Sequence, residues 1–443
     1  MKLAAESKLA RGSEVYDNYL AILKAELLPA MGCTEPIAVA FAAAKARAVL
    51  GKMPERIVMY CSGNIIKNVK SVVVPNSGGQ IGINAAAVLG SVAGREELEL
   101  EVLNSVTAGQ IEKARSLAAI PGYCECRLVE GEENLYIRAE VFSGHDCSSV
   151  EIKTKHNHIS RIEKNGVLLF EQPELKTGSL GDKSKLNIKD IYEFANCVEL
   201  ADIEDLLKRQ LKYNEMISNE GLTNSWGSSI GKTLLESHAN PDFFIRAKAK
   251  AAAGSDARMA GCALPVVINS GSGNQGITVS MPLLEYAREV NCSEEKLLRA
   301  LCLANLISLH QKYYIGNLSA YCGATSAGCS AVCGMAYIDG ADMETLGWIV
   351  VNAINTIGGM VCDGAKSSCA AKIASAVEAS LLAYELVKRD RSFKPGEGMV
   401  DADIEKSIEN VGRMGRVGMA STDVEILNIL LENTNTVREA VPL

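Results

Sequence analysis

Small side chains dominate the C-terminal half of this chain. From residue 188 the apolar residues recur at helical spacing, and after about 245 the sequence is dense in Ala, Gly, Ser and Cys, as in "AYCGATSAGCSAVCG" and "GMVCDGAKSSCAAK". Residues this small let helix axes come close together, so 188–443 reads as a tightly packed helical domain. A chain of 443 residues with 48% hydrophobic and 22% charged content can bury such a core, and its length fits two or three domains.

The first part of the chain changes pattern several times. "EVYDNYLAILKAELLPA" (14–30) carries an apolar face at helical spacing. "EPIAVAFAAAKARAVLG", from 35 to about 50, is an Ala-rich helix with Pro36 in the first turn, where proline is tolerated. The Gly-containing break "MGCT" separates the two. "RIVMYCS" reads as a buried strand, and "INAAAVLGSVA" and "AGQIEKARSLAA" as helices. Between about 122 and 170, "YCECRLVE", "LYIRAEVFS", "SSVEIKTKHN" and "HISRIEKNG" alternate with the period of two expected of an antiparallel sheet. The polar "LKTGSLGDKSKLN" (175–187) reads as a linker. The expected fold class is α+β: a smaller α+β domain with an antiparallel sheet over 51–185, a large helical domain carrying the Cys-rich site over 188–443, and the helices of 1–50 packed on the helical domain.

A net charge of −8, a pI near 5.4 and no run of basic residues argue against a nucleic-acid or anionic-membrane partner, because counterion release needs clustered Lys and Arg. Charges are scattered through the N-terminus, and nowhere do eighteen apolar residues run together. The expected compartment is the cytoplasm. There the fourteen cysteines are expected to be reduced thiols unless a metal takes them. With five histidines, His145, His156, His158, His238 and His310, sulfur is the abundant donor.

Cys362 and Cys369 stand seven apart in a Gly/Ser-rich segment, and Cys322, Cys329 and Cys333 form a second group. Neither offers the close C-x2-C pairs of a structural zinc site. Small, flexible neighbours suit an iron–sulfur cluster, but tight core packing accounts for the same residues. Cys197, Cys262, Cys292 and Cys302 read as small hydrophobes, and Cys124 and Cys126 share one face of a strand. An internal echo joins "VVVPNSGGQIGI" (72–83) to "VVINSGSGNQGI" (266–277). It is either shared turn chemistry or a pair of loops presenting N–H groups and hydroxyls to a carboxylate.

Taken together, "MGCTEP", "NIIKNV", "VINSGSGNQGI", "LSAYCGATSAG" and "GMVCDGAKSSCAAK" resemble the signatures of the iron–sulfur L-cysteine desulfidase family, which is related to the alpha chain of bacterial L-serine dehydratase. The resemblance spans residues 31 to about 372. It implies a [4Fe-4S] cluster held by three cysteines, here Cys322, Cys362 and Cys369, with one iron free for substrate and with Cys329 an alternative to Cys322. The implied reaction eliminates sulfide from L-cysteine to give pyruvate and ammonia, with a homodimer as the assembly.

Such an elimination needs a base near Cα. Cys33 in "MGCTEP" is the candidate, because a helix N-terminus lowers a thiol pKa; Glu35 is the alternative. Ser270, Ser272 and Asn274 are expected to hold the substrate carboxylate or amino group. Asn64, Lys67 and Asn68 are expected on the opposite wall, with Asn64 and Asn68 on one side of a helix. Lys366 is either a counter-charge to the cluster or solvated. The rivals are an iron–sulfur L-serine or L-threonine dehydratase, a pyridoxal-phosphate lyase using Lys248 or Lys250, and a non-catalytic iron–sulfur binding protein.

Overall fold

The computed structural model describes residues 9–172, 180–316 and 318–432. Its first helix, Glu14–Glu26, is capped by Ser13, whose hydroxyl accepts from the Tyr16 amide. The helix stops before Pro29, which favours extended backbone at the residue before it. Residues expected to continue the helix instead form a short strand, β1 (Pro29–Met31).

A six-stranded sheet follows. Its strands are β2 (Arg56–Cys61), β3 (Cys124–Leu128), β4 (Tyr136–Ser143), β5 (Asp146–Lys153), β6 (Ile159–Lys164) and β7 (Val167–Glu171), in the order β3-β2-β4-β5-β6-β7. Only β2 and β3 run parallel, joined by a helical crossover; the other pairings are antiparallel, as the alternation predicts. Ile57, Met59, Ile137, Ala139, Val141, Val150 and Ile152 are fully buried on one face.

Helix Thr34–Leu50 covers that face, together with Ile83–Ala93. This corrects the expectation that both N-terminal helices pack on the helical domain. The physical reason lies in its composition: Ile37 to Ala44 are all buried, so this stretch has no solvent face and must be covered on several sides. Gly90 allows the closest approach, since a Cβ there would collide with the Ala40 carbonyl. Helix Glu14–Glu26 does lie against the helical region, beside Leu200–Thr223 and Glu294–Ile315.

The helical region is built around Gly273–Glu289, buried over most of its length, and Ala324–Ile338, which is almost entirely buried. Phe243–Met259, Glu294–Ile315, Met343–Ile357 and Ser368–Val387 pack around them. Close packing through small residues is realised: Gly221 sits against the Ala253 carbonyl and Gly328 against the Ala376 backbone. The region also contains an unforeseen strand, β8 (Pro265–Val267), paired antiparallel with β1. The Asn214 side chain flanks β8, accepting from Val267 N at 2.8 Å and donating to Val267 O at 3.2 Å. Of the expected linker 175–187, residues 180–187 are described and include a short turn of helix, Lys183–Lys185; the rest lies outside the described residues. Among the described residues no helix is long and apolar enough to cross a membrane.

Candidate functional site

Four helices begin at one cavity of about 150 Å³. Thr34–Leu50 brings Cys33 and Glu35, Gly273–Glu289 brings Ser270, Ser272, Asn274 and Gln275, Ala324–Ile338 brings Cys322 and Gly323, and Ser368–Val387 brings Cys369. Helix N-termini carry partial positive charge and free N–H groups, so their convergence favours bound anions.

One wall is sulfur. Tyr321 and Val361 form an antiparallel bridge, with Cys362 N donating to Ala320 O at 2.6 Å and Cys322 N to Met360 O at 2.9 Å. The bridge sets the Cys322 and Cys362 thiols side by side. The hydrogen bond from Cys322 holds the Cys362 thiol below the ordinary range against the effect of burial, with the charges of Lys67 and Lys372 and the Gly364 amide assisting. Cys322 is pushed up in return, and burial raises Cys369. Cys369, in the first turn of its helix, points its thiol at Gly364 O, 3.7 Å away.

Cys329 and Cys333 lie inside helix Ala324–Ile338, buried in the core and off the cavity. Of the two candidates for the third position, Cys322 is the one on the cavity wall. Among the described residues no three His, Cys, Asp or Glu side chains are gathered at metal-holding spacing. The donor set nonetheless suits an iron–sulfur cluster, with soft thiols on one wall among small residues. The buried Lys312 stands near Cys362 and Cys322, its ammonium brought down to about 8 by burial.

On the same cavity Cys33 caps helix Thr34–Leu50 without a capping side-chain bond, and Cys369 packs against the small apolar cluster that Cys33 forms with Val72 and Met259. The Cys33 thiol donates to Glu35 Oε2 at 3.2 Å, and the Thr34 hydroxyl lies 3.0 Å from the same oxygen. Asn68 Nδ2 donates to Glu35 Oε1 at 3.0 Å. The expected lowering of the Cys33 thiol is corrected: burial first, then the Glu35 charge, raise it well above the ordinary value. Burial pushes Glu35 up, but His156, Arg258 and the Cys33 thiol together hold it below the usual carboxylate range.

The floor is the Asn269–Ser272 turn. Ser270 (φ 51°) and Gly271 (φ 74°) both occupy left-handed conformations, closed by paired bonds between Asn269 and Ser272. Behind it, Asn269 bonds Asn305 at 3.0 Å and Asn305 bonds Gln210 at 2.8 Å, all fully buried.

Cys33, Asn68, Ser270, Ser272, Asn274, Cys322, Cys362 and Cys369 thus share one cavity. Asn64 and Lys67 do not line it. Helix Gly63–Val69 turns Lys67 back to Asp423, 2.5 Å away on the C-terminal helix Ala420–Glu432. The 72–83 half of the echo also lies off the cavity. Lys366 pairs with Asp363, Lys248 with Glu378, and Lys250 bonds Asn219; neither Lys248 nor Lys250 lines the wall.

Several residues of the wall belong to none of the sequence motifs. Arg258, on the wall, is 2% exposed and donates from Nε to Gly32 O at 2.8 Å. In the sequence it stands out as a lone arginine in the Ala/Gly-rich "AAAGSDARMAGC". His156 comes from the β5–β6 turn, where burial lowers its pKa. Beside it Lys155 reaches Glu26 at 3.0 Å, and Lys183 reaches the same carboxylate at 2.8 Å. No local pattern marks a hairpin tip that folds over a distant cavity.

Residues 97–428 match the family model of the serine dehydratase alpha chain. The chain belongs to the serine dehydratase alpha-chain family. A UPF0597 protein of Desulfitobacterium hafniense is 46% identical over 430 residues, covering 97% of this chain and 100% of the relative. UPF0597 proteins of Lachnoclostridium phytofermentans (47% over 418 residues; 94% of this chain, 100% of the relative) and Finegoldia magna (46% over 419; 94% and 99%) are similar. The part matched by the serine dehydratase alpha-chain model includes the sulfur wall, Arg258 and the 269–275 loop, whereas Cys33 and Glu35 precede it.

Proposed function

We propose that this protein is an L-cysteine desulfidase, a carbon–sulfur lyase that converts L-cysteine to pyruvate, ammonia and hydrogen sulfide. The observation that carries this reading is the shared cavity, which Cys322, Cys362 and Cys369 line together with the Cys33–Glu35 pair. The three cysteines would hold a [4Fe-4S] cluster, which when bound supplies a Lewis-acidic iron for the departing sulfur.

The protein's own residues do the rest. Arg258 and the converging helix N-termini receive the carboxylate. Cys33 Sγ takes the Cα proton as it passes its own to Glu35 Oε2, so the pair acts as one base. The Cα–H electrons form the Cα=Cβ bond, the Cβ–S bond breaks, and sulfide leaves and is protonated. The aminoacrylate tautomerises to an imine that water hydrolyses to pyruvate and ammonia. The buried His156 places a second titratable nitrogen near Glu35. With this reading go a cytoplasmic location, a homodimer, and no nucleic-acid or membrane partner.

A second reading, loss of water from L-serine, is supported by the serine dehydratase family model itself. Anaerobic protein reconstituted with iron and sulfide and offered each amino acid distinguishes the two. Sulfide and pyruvate in equal amounts from L-cysteine support the desulfidase. Pyruvate from L-serine without sulfide from L-cysteine replaces it with the dehydratase.

A further inference from the structure

Most polar groups on the cavity wall are already engaged. Glu26 takes Lys155 and Lys183, and Glu35 takes Cys33, Thr34 and Asn68. Among the described residues, Asn274 Oδ1, Gln275 Oε1 and His156 Nε2 are buried wall atoms without a partner. Buried polar groups left in this way mark what a ligand must supply.

Asn274 and Gln275 are consecutive in the first turn of helix Gly273–Glu289. Their carbonyl oxygens can accept but cannot hold an anion, whereas the helix end and Arg258 beside them can. Two glycines set this arrangement. A Cβ at Gly273 would come within 2.9 Å of Arg258 Cζ, so the guanidinium lies on residue 273. A Cβ at Gly323 would come within 2.6 Å of Gln275 Oε1, so the amide lies on the residue that follows Cys322. An anion site and a pair of neutral acceptors therefore adjoin at one helix end, with the acceptors against the sulfur wall. An α-amino acid carries its carboxylate and ammonium on one carbon.

We propose that Gln275 Oε1, with Asn274 Oδ1, receives the α-ammonium of the substrate, so that the site selects α-amino acids over acids lacking the amino group. This rests on the reading of the cavity as an amino-acid site. The test uses anaerobically reconstituted protein with two probes, L-cysteine and 3-mercaptopropionate, which keeps the thiol and carboxylate and lacks the amine. Affinity is measured from the rise in melting temperature with ligand concentration, a readout independent of turnover. Gln275→Leu should weaken L-cysteine by about 10- to 100-fold, the scale of one lost buried hydrogen bond to a charged group, and leave 3-mercaptopropionate within about 3-fold. Gly323→Ala, which displaces the amide without removing it, should act in the same direction. Gln275→Glu, which keeps an acceptor, should retain L-cysteine.

Equal weakening of both probes by Gln275→Leu, or no weakening of either, overturns the proposal, as does a parent protein that binds L-cysteine no better than 3-mercaptopropionate. If L-cysteine binds with the expected dependence on Gln275 but releases no sulfide, the ammonium site stands and the desulfidase reading falls.

Discussion

Cys33 Sγ and Glu35 Oε2 lie 3.2 Å apart across a single helix N-terminus, both buried, with the thiol as donor. The raised thiol and the lowered carboxylate keep the proton on Cys33 at rest, so in the proposed mechanism Cys33 accepts the Cα proton only as Glu35 takes the thiol's own. Cys33→Ser and Glu35→Gln should therefore each lower kcat for sulfide release by about 10²- to 10⁴-fold. The serine hydroxyl is too weak an acid to substitute. Both variants should keep the visible absorbance of the reconstituted parent. A Cys33→Ser enzyme with parental kcat would remove Cys33 from the mechanism.

The sulfur wall and the sulfur core should behave oppositely. Cys322→Ala, Cys362→Ala and Cys369→Ala are expected to lose iron and the broad absorbance near 400 nm characteristic of thiolate-bound clusters. Cys329→Ala and Cys333→Ala should retain both and lose about 1 kcal/mol of stability, as small core truncations do. Iron analysis beside urea unfolding checks the contrast; iron loss from Cys329→Ala would reopen the third position.

Asp256 gives a pH signature separate from the chemistry. Its Oδ2 accepts from Gly231 N at 2.9 Å while Oδ1 has no partner, and burial raises the carboxyl from 3.8 to about 6. A raised folded pKa means that the group's contribution is fully present below its unfolded pKa and is lost as pH rises through the folded one. The melting temperature of Asp256→Asn relative to the parent should therefore improve between about pH 4 and pH 6 and level off above. A pH-independent difference would show that the carboxyl titrates normally.

Close helix contact predicts a steric penalty. At Gly221 an added methyl meets the Ala253 backbone, which cannot rotate away as a side chain can. Gly221→Ala should cost about 1–3 kcal/mol in spite of the better helix propensity of alanine. The midpoint of urea unfolding reads this directly; a stabilised variant would mean that the helices can part cheaply.

Local pattern was enough for much of the architecture. The period of two over β4, β5 and β6 reports one buried face, and the helix Ile83–Ala93 begins and ends where its apolar run does. "MGCT" did mark a helix start. What failed were inferences depending on distant partners: β8 exists because it pairs with β1 across more than 230 residues, and three residues carry no period of their own. For the same reason Lys67 could not be assigned to Asp423, or His156 to the cavity.

The sequence by itself determined the types of element and the chemistry available: thiols with small neighbours, an Asn/Ser/Gly turn before a helix, and a cysteine at a helix start. Only the tertiary structure decided which of these meet. It put Cys322 on the cavity and Cys329 in the core, although both belong to one short stretch, because the helix begins between them and turns Cys329 inward. It also reversed the expected Cys33 shift. A helix end contributes about 0.3–1 kcal/mol, whereas full burial can move a group by several pKa units, and burial is a property of the whole packed molecule.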